Sequence, residues 1–65
     1  MKARYDVETD TLVLILRDGR VVESDEPRPG VILDFDGDGQ ILSVEILDAS
    51  RRVENPRAVT LVTTG

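Results

Sequence analysis

The most apolar run of the 65-residue chain is Thr11-Leu12-Val13-Leu14-Ile15-Leu16-Arg17. Side chains alternate between the two faces of a β-strand, so the three leucines share one face while Val13 and Ile15 lie on the other. An antiparallel strand with one solvated face carries polar residues at every second position. The run therefore predicts a central strand whose two faces both need a cover.

Short apolar or β-branched segments separated by turn residues predict four more strands around this one. They are Lys2–Tyr5, Arg20–Ser24, Val31–Phe35 and Ile41–Leu47. The dipeptide Asp18-Gly19 is typical of a two-residue hairpin turn, so we expect Arg20–Ser24 to return antiparallel to the central strand. The two prolines in Asp25–Gly30 predict a loop there, because proline lacks a backbone donor and disfavours helix in the residue before it.

A second hairpin is predicted around Asp36-Gly37-Asp38-Gly39-Gln40, since its glycines permit left-handed conformations. Asp48 is a candidate cap for a short helix over Ala49–Val53, which Asn55-Pro56 would end. The β-branched segment Ala58–Thr63 is interpreted as a sixth strand or an extended arm. The prediction is an α+β, mostly β protein: an antiparallel β-meander of five or six short strands with one short helix near the C-terminus. Residues 1–53 are predicted to form a single β-rich domain, and residues 54–65 a C-terminal arm or extra strand.

The size of the chain makes self-association the expected way to complete its core. A domain of this length buries only about 60% of its unfolded surface, and small domains add disulfides, a metal or a partner subunit. The chain has no Cys and no His, so disulfides, thiolate sites and the commonest metal ligand are excluded. We therefore expect a homodimer or a higher homo-oligomer.

The energetic argument concerns the second face of the sheet. A helix of about five residues spans only about 7 Å and cannot cover both faces. Burying one aliphatic side chain is worth roughly 1.5–3 kcal/mol, so several exposed ones forfeit a sum comparable to the about 5–15 kcal/mol that stabilise a domain. The alternative is that the C-terminal segment folds back over the second face within one chain.

The charge balance excludes some partners. The 13 Asp and Glu against 8 Lys and Arg give a net charge of −5, which argues against binding to nucleic acid or to an anionic membrane. The single basic cluster, Arg51-Arg52 with Arg57, is interpreted as a solvated helix end. The longest apolar run is far shorter than the roughly 20 residues that cross a bilayer, and no signal peptide is recognisable. A cytoplasmic protein is the expectation.

One stretch matches the pattern of a calcium-binding loop. From Asp34 to Glu45 the sequence has acidic residues at loop positions 1, 3 and 5, Gly at 6, an aliphatic residue at 8 and Glu at 12. Such a loop needs a helix on each side. Pro27, Pro29 and Gly30 precede it, and Val31-Ile32-Leu33 is too short and β-branched for an entering helix. We interpret the stretch as a tight hairpin, with weak calcium binding as the alternative and no metal site assigned.

The sequence offers little catalytic machinery. Without Cys or His, the usual nucleophile and base arrangements of hydrolases lack their parts. The carboxylate pairs Asp6 with Asp10 and Glu23 with Asp25 are candidates for acid and base chemistry, but acidic residues beside turns are ordinarily solvated. We predict that the protein is not an enzyme, and we assign no catalytic residue and no cofactor.

Several blocks in order resemble the domain of unknown function 2283 family of short prokaryotic proteins. They are Tyr5-Asp6, Asp10-Thr11-Leu12, Val22-Glu23-Ser24, Gly30-Val31-Ile32-Leu33-Asp34-Phe35-Asp36 and Val44-Glu45-Ile46-Leu47-Asp48-Ala49-Ser50. The likeness covers about Lys2 to Val53. It implies a compact β-rich domain with a short helix, implies no catalytic residue, and suggests an antitoxin-like role with a small protein partner. We expect first a non-enzymatic homo-oligomer, second such a partner-binding module, and third a calcium-dependent regulator.

Overall fold

The computed structural model describes residues Met1–Gly65, and its main element is one five-stranded antiparallel sheet. In chain order the strands are β1 (Lys2–Asp6), β2 (Thr11–Ile15), β3 (Glu23–Arg28), β4 (Val31–Phe35) and β5 (Ile41–Ile46), followed by the helix α1 (Ala49–Arg52). Across the sheet their order is β1-β2-β5-β4-β3. The predicted fold class is confirmed, as is the hairpin turn between β4 and β5.

The third strand differs from its prediction in both position and partner. It spans Glu23–Arg28 rather than Arg20–Ser24, and it pairs with β4 rather than with β2. Asp18-Gly19 is therefore not a two-residue hairpin turn but part of a connection that crosses one end of the sheet. The two prolines did not prevent a strand, because β3 lies at the edge, where Pro27 sits beside a register shift between Asp25 and Arg28. Proline has no backbone N–H, but at an open edge this position has no further strand to donate to, so no ladder hydrogen bond is lost.

The crossing connection packs on the buried end of β5. Leu16 N and Arg17 N both donate to the carbonyl of Leu42, at 2.7 and 3.2 Å. A Cβ atom added to Gly19 would lie only 2.8 Å from Leu42 Cδ2, and Leu42 is nearly inaccessible to solvent. Glycine is needed at position 19 because of this close approach, and not because a hairpin turn requires its backbone freedom.

The helix is held by the β1–β2 turn and not by its own preceding residue. Asp48 has a left-handed backbone, with φ 53, and its side chain makes no capping hydrogen bond, so the prediction that it caps the helix was wrong. The carboxylate of Asp10 accepts instead from Ser50 N at 2.9 Å and from Ser50 Oγ at 2.6 Å. The carbonyl of Asp10 also accepts from Ala49 N at 2.9 Å.

No strand or helix follows Arg52, so the extended arm, and not a sixth strand, describes residues 54–65. The last backbone hydrogen bond along the chain is donated by Ala58 N to Asn55 O. Val59, Leu61 and Val62 remain largely exposed, at 59%, 77% and 75%. The arm lies beside β1 and β2 without joining the ladder.

The register assigns distinct chemistry to the two faces of the sheet. Residues paired directly across strands share a face, which groups Leu12 with Ile46, Leu14 with Val44, and Val44 with Leu33. We call this the apolar face; it also carries Ala3, Tyr5, Leu16, Val31 and Leu42. The edge strand β3 adds charged residues to this face, with Asp25 opposite Leu33 and Arg28 opposite Val31. The other face, here called the mixed face, carries Lys2, Arg4, Asp6, Thr11, Val13, Ile15, Ser24, Ile32, Asp34, Ser43 and Glu45.

Replacing Gly19 with Ala tests the crossing connection. The new Cβ forces the buried Leu42 side chain to move, and overpacking of this kind destabilises by about 1–3 kcal/mol. Gly37→Ala is the matched control, because its Cβ would meet only Val22 at an ordinary 3.8 Å. Urea unfolding should give a clearly lower midpoint for the first variant only. Equal midpoints would mean that the connection does not rest on Leu42.

The two left-handed aspartates provide a second test. Asp10→Gly and Asp48→Gly both preserve a backbone with φ 53, but only the first removes hydrogen bonds to the helix. We expect the melting temperature of Asp10→Gly to lie about 4–8 °C below that of Asp48→Gly, because the variant loses the hydrogen bonds that the Asp10 carboxylate accepts. Calorimetry measures both. Similar melting temperatures would contradict the role of Asp10.

Candidate functional site

The most buried polar group of the chain lies at the centre of the mixed face. Asp34 on β4 is only 5% exposed, and the register places it between Ser24 on β3 and Ser43 on β5. Ser24 Oγ donates to Asp34 Oδ1 and Ser43 Oγ donates to Asp34 Oδ2, each at 2.7 Å. Both carboxylate oxygens are thus paired by neutral donors, which compensates for their removal from water.

Glu45 lies beside this group on the same face. Its carboxyl shares a hydrogen bond with Asp34, which raises the pKa of Glu45, and desolvation and the charge of Asp34 act in the same direction. Burial acts to raise the pKa of Asp34, but the hydrogen bonds from Glu45, Ser24 and Ser43 outweigh it and lower that pKa. We call these four residues the carboxylate cluster. The two opposite shifts mean that Glu45 keeps its proton to higher pH than Asp34 does, because two adjacent negative charges repel.

The candidate calcium loop is arranged differently from an ion-binding loop. Its flanks are the strands β4 and β5, not helices. Asp36 Oδ1 accepts from the backbone amides of Asp38 and Gln40, both at 2.9 Å, so this carboxylate closes its own hairpin. Asp34 and Glu45, the first and last residues of the pattern, lie in the carboxylate cluster on the sheet. No three acidic side chains converge on a point that a metal ion would occupy.

The other acidic pairs of the sequence are separated or engaged elsewhere. Asp6 Oδ1 accepts from the backbone amides of Glu8 and Thr9 and so shapes the β1–β2 turn. Asp10 binds Ser50 and Tyr5, whose hydroxyl donates to Asp10 Oδ1 at 2.6 Å. These bonds lower the pKa of Asp10, and the bond to Asp10 raises the pKa of Tyr5. Neither acid faces the other across a shared cleft.

The remaining pair and the basic cluster are also dispersed. Glu23 and Asp25 are exposed on the edge strand β3. Arg51 lies 3.5 Å from Asp48 in an exposed ion pair, and Arg52 donates to the carbonyl of Pro29 at 2.6 Å. The guanidinium of Arg57 lies 5.8 Å from the centre of the Tyr5 ring. Each arginine therefore attaches a different turn or element, and the three do not form one basic patch.

The carboxylate cluster was not predicted from the sequence as a unit. The sequence pattern places Asp34 and Glu45 at the two ends of a candidate ion-binding loop. The signal that would have found the cluster is the period of two along β4 and β5, combined with the register that pairs Asp34 with Ser43 and Ile32 with Glu45. A register shift between Asp34 and Phe35 interrupts that period near the turn. Sequence spacing alone does not reveal this shift.

These features define the chain as a small single-sheet antiparallel β protein with a hydrogen-bonded carboxylate pair on one face. The family model described as protein of unknown function (DUF2283) matches residues 2–50, most of the chain, and the chain belongs to that family. No curated protein and no solved structure is significantly similar to it. The single helix has four residues, and no helix of the protein is long and apolar enough to cross a membrane.

The opposite pKa shifts of Asp34 and Glu45 predict a pH dependence of folding stability. The stabilisation from the lowered pKa of Asp34 is present above its unfolded value of 3.8 and is lost as the pH falls through the folded value. The stabilisation from the raised pKa of Glu45 is present below its unfolded value of 4.5 and is lost as the pH rises through the folded value. Asp34 and Glu45 together therefore stabilise the fold most between the two unfolded values, 3.8 and 4.5.

Glu45→Gln removes this titration while retaining a donor to Asp34. From about pH 4 to about pH 7 we expect the free energy of unfolding of the variant to rise relative to that of the wild type, because only the wild type acquires a second negative charge in the cluster. Urea unfolding at several pH values measures it. Glu54→Gln, at an exposed position, is the control and should show a flat difference. A flat difference for Glu45→Gln as well would contradict the raised pKa of Glu45.

Proposed function

We propose that this protein is a non-enzymatic homo-oligomer in which the apolar face of one copy packs on the apolar face of a second. Its activity in this proposal is assembly: each copy completes the core of the other. The observation that carries the proposal is that the isolated chain buries only four residues, Leu12, Leu42, Ala49 and Asp34. Three of these are apolar, which is a small core for a chain with 40% hydrophobic residues.

The accessible surface area of the chain is larger than that of a compact monomer, which supports a layer supplied by a second copy. The chain exposes 5104 Å² at a mass of 7.2 kDa, whereas a compact monomer of that mass exposes about 4,100 Å². Its radius of gyration is 12.5 Å, against about 10.8 Å for a compact domain of this length. The excess of about 1,000 Å² per chain is close to the about 800 Å² that each partner buries in a standard stable interface.

The chemistry of the two faces indicates which one forms the contact. The apolar face presents half-buried Leu14, Leu33 and Val44 at its centre, and its charged residues Asp25 and Arg28 lie at one side, on the edge strand β3. Stacking two mixed faces would instead bring the acids of two carboxylate clusters together, which costs free energy through repulsion and desolvation. Pairing through the apolar face avoids this cost and removes aliphatic surface from water.

A groove on the apolar face marks one place where the second copy would add contacts. It has a volume of about 310 Å³ and is lined by Met1, Lys2, Ala3, Leu14, Leu16, Val59 and Leu61. The arm covers it only partly, since Leu61 and Met1 remain 77% and 83% exposed. An apolar groove whose own chain leaves it half open is typical of an association surface.

The engagement of the acidic side chains supports a role without catalysis. Asp34 and Asp10 are both held by hydrogen bonds to neighbouring protein groups, and the chain has no His or Cys to act as base or nucleophile. An antitoxin-like module would use the same apolar face to mask a different protein. No contact or charge of the fold favours a different protein over a second copy, and the loop geometry gives the calcium-dependent alternative no support.

Sedimentation equilibrium at several concentrations tests the proposal. We expect the wild type to reach at least twice 7.2 kDa in the micromolar range, and Leu61→Asp to weaken the dimer by about tenfold or more in Kd, because a charge replaces an aliphatic side chain at the interface. Leu61 is too exposed for the change to disturb the isolated fold. Val7→Asp, at a 57% exposed position in the β1–β2 turn, is the matched control and should associate like the wild type.

A folded wild type that stays at 7.2 kDa at every concentration would overturn the proposal. Truncation after Arg57 separates it from closure by the arm within one chain. If the arm alone shields the apolar face, its removal will make the protein associate or aggregate more strongly. If the arm forms the rim of the interface, its removal will weaken the dimer.

A further inference from the structure

The two edges of the sheet differ in how well they resist pairing with another strand. Open edges present unpaired backbone groups, which natural proteins protect with proline, bulges and charges. The β3 edge has all three devices: Pro27, the register shift between Asp25 and Arg28, and acidic side chains on exposed positions. It is therefore a poor template for a further strand.

The β1 edge lacks two of these devices, proline and a bulge, and has only charged side chains, on Lys2, Arg4 and Asp6. Its five residues pair with β2 in unbroken register, from Lys2 opposite Ile15 to Asp6 opposite Thr11, and it contains neither Pro nor Gly. None of the backbone hydrogen bonds outside the ladders involves Lys2–Asp6. The arm, although it lies beside β1, does not use this edge. The outward backbone groups of β1 are available to another strand.

We propose that β1 pairs antiparallel with β1 of a second copy. The two-fold axis lies midway between the two copies of Tyr5, which are directly opposite each other. This edge contact is independent of the apolar-face contact, because it uses the side of the sheet and not its surface. The partner is a second copy of this chain because the charges along β1 complement themselves in one register.

The register follows from symmetry. A two-fold axis perpendicular to the sheet keeps each face continuous across the contact. It therefore lies midway between the two copies of one β1 residue, and that residue is opposite itself. A register centred on Ala3 places Lys2 opposite the partner's Arg4 twice. A register centred on Arg4 pairs Lys2 with Asp6 twice, but it also places the two Arg4 side chains opposite each other at the centre of the contact. Like charges directly opposite destabilise a pair of strands. Both registers are disfavoured for this reason.

The axis through Tyr5 avoids these clashes. It places Arg4 of each copy opposite Asp6 of the other, giving two pairs of opposite charge on the mixed face, and brings the two Tyr5 rings together on the apolar face. Arg4 and Asp6 are exposed, and only Oδ1 of Asp6 is engaged by its own turn. The second carboxylate oxygen of Asp6, Oδ2, accepts no hydrogen bond within the chain and is available to the guanidinium of the partner's Arg4.

Cysteine cross-linking tests the register. The chain has no Cys of its own, and directly opposite residues of antiparallel strands lie about 4.5–5.5 Å apart at Cα, within disulfide range. Mixing Arg4→Cys with Asp6→Cys under mild oxidation should give a disulfide-linked heterodimer much faster than either variant alone gives a homodimer. Stacking of apolar faces cannot produce this result, because both positions lie on the mixed face. Equal rates, or faster linking of Arg4→Cys alone, would overturn the proposal.

Charge reversal gives the second measurement. Arg4→Glu sets a glutamate opposite Asp6 in both halves of the contact, so edge association followed by sedimentation velocity should weaken by about tenfold or more in Kd. The double variant Arg4→Glu with Asp6→Arg should recover most of the wild-type affinity. Performing both in the Leu61→Asp background removes the apolar-face contribution. If Leu61→Asp abolishes the dimer, and charge reversal leaves the Kd of the protein with wild-type Leu61 unchanged, the edge pairing is rejected. The proposed function would then stand.

Discussion

The pairing of β2 with β5 is the interaction on which the rest of the fold depends. It joins a hairpin from the start of the chain, β1–β2, to the three consecutive strands β3, β4 and β5. Leu12 opposite Ile46 and Leu14 opposite Val44 form the middle of the apolar face, and Leu12 is among the few buried side chains. Without this ladder the chain is a hairpin and a three-stranded sheet with no common core. Long-range pairing of this kind must gain enough from apolar burial to offset the entropy of closing the loop between the strands.

The same pairing creates the problem that assembly is proposed to solve. A single sheet has two surfaces, and the additional material of this chain is a four-residue helix, one crossing connection and a loosely placed arm. The helix is fastened at one end of the sheet by Asp10, and the connection covers Leu42 at the other end. The middle of the apolar face is left between them. In the proposed assembly, a second copy would supply this cover without a longer chain.

The carboxylate cluster gives the mixed face the opposite character. The hydrogen bonds from two serine hydroxyls stabilise the buried carboxylate of Asp34, but two adjacent acids make the stacking of two such faces unfavourable. The cluster therefore helps to define which side of the sheet is open to association, in addition to fixing the register of β3, β4 and β5 through the contacts of Ser24 and Ser43 with Asp34. Polar networks that are fully paired contribute specificity in this way.

The amino-acid sequence by itself determined the strand class, four of the five strand locations, the acidic β4–β5 turn and the family, because alternation of apolar residues and turn-forming Asp and Gly are local properties. Only the tertiary structure decided that β3 pairs with β4, that Asp10 and not Asp48 holds the helix, and that Asp34 and Glu45 lie together on the mixed face. Each of these depends on residues that are distant in the chain, such as Asp10 and Ser50, or on a register that a bulge shifts by one position. Local spacing carries no information about such contacts, since the free energy that selects them comes from packing across the whole sheet.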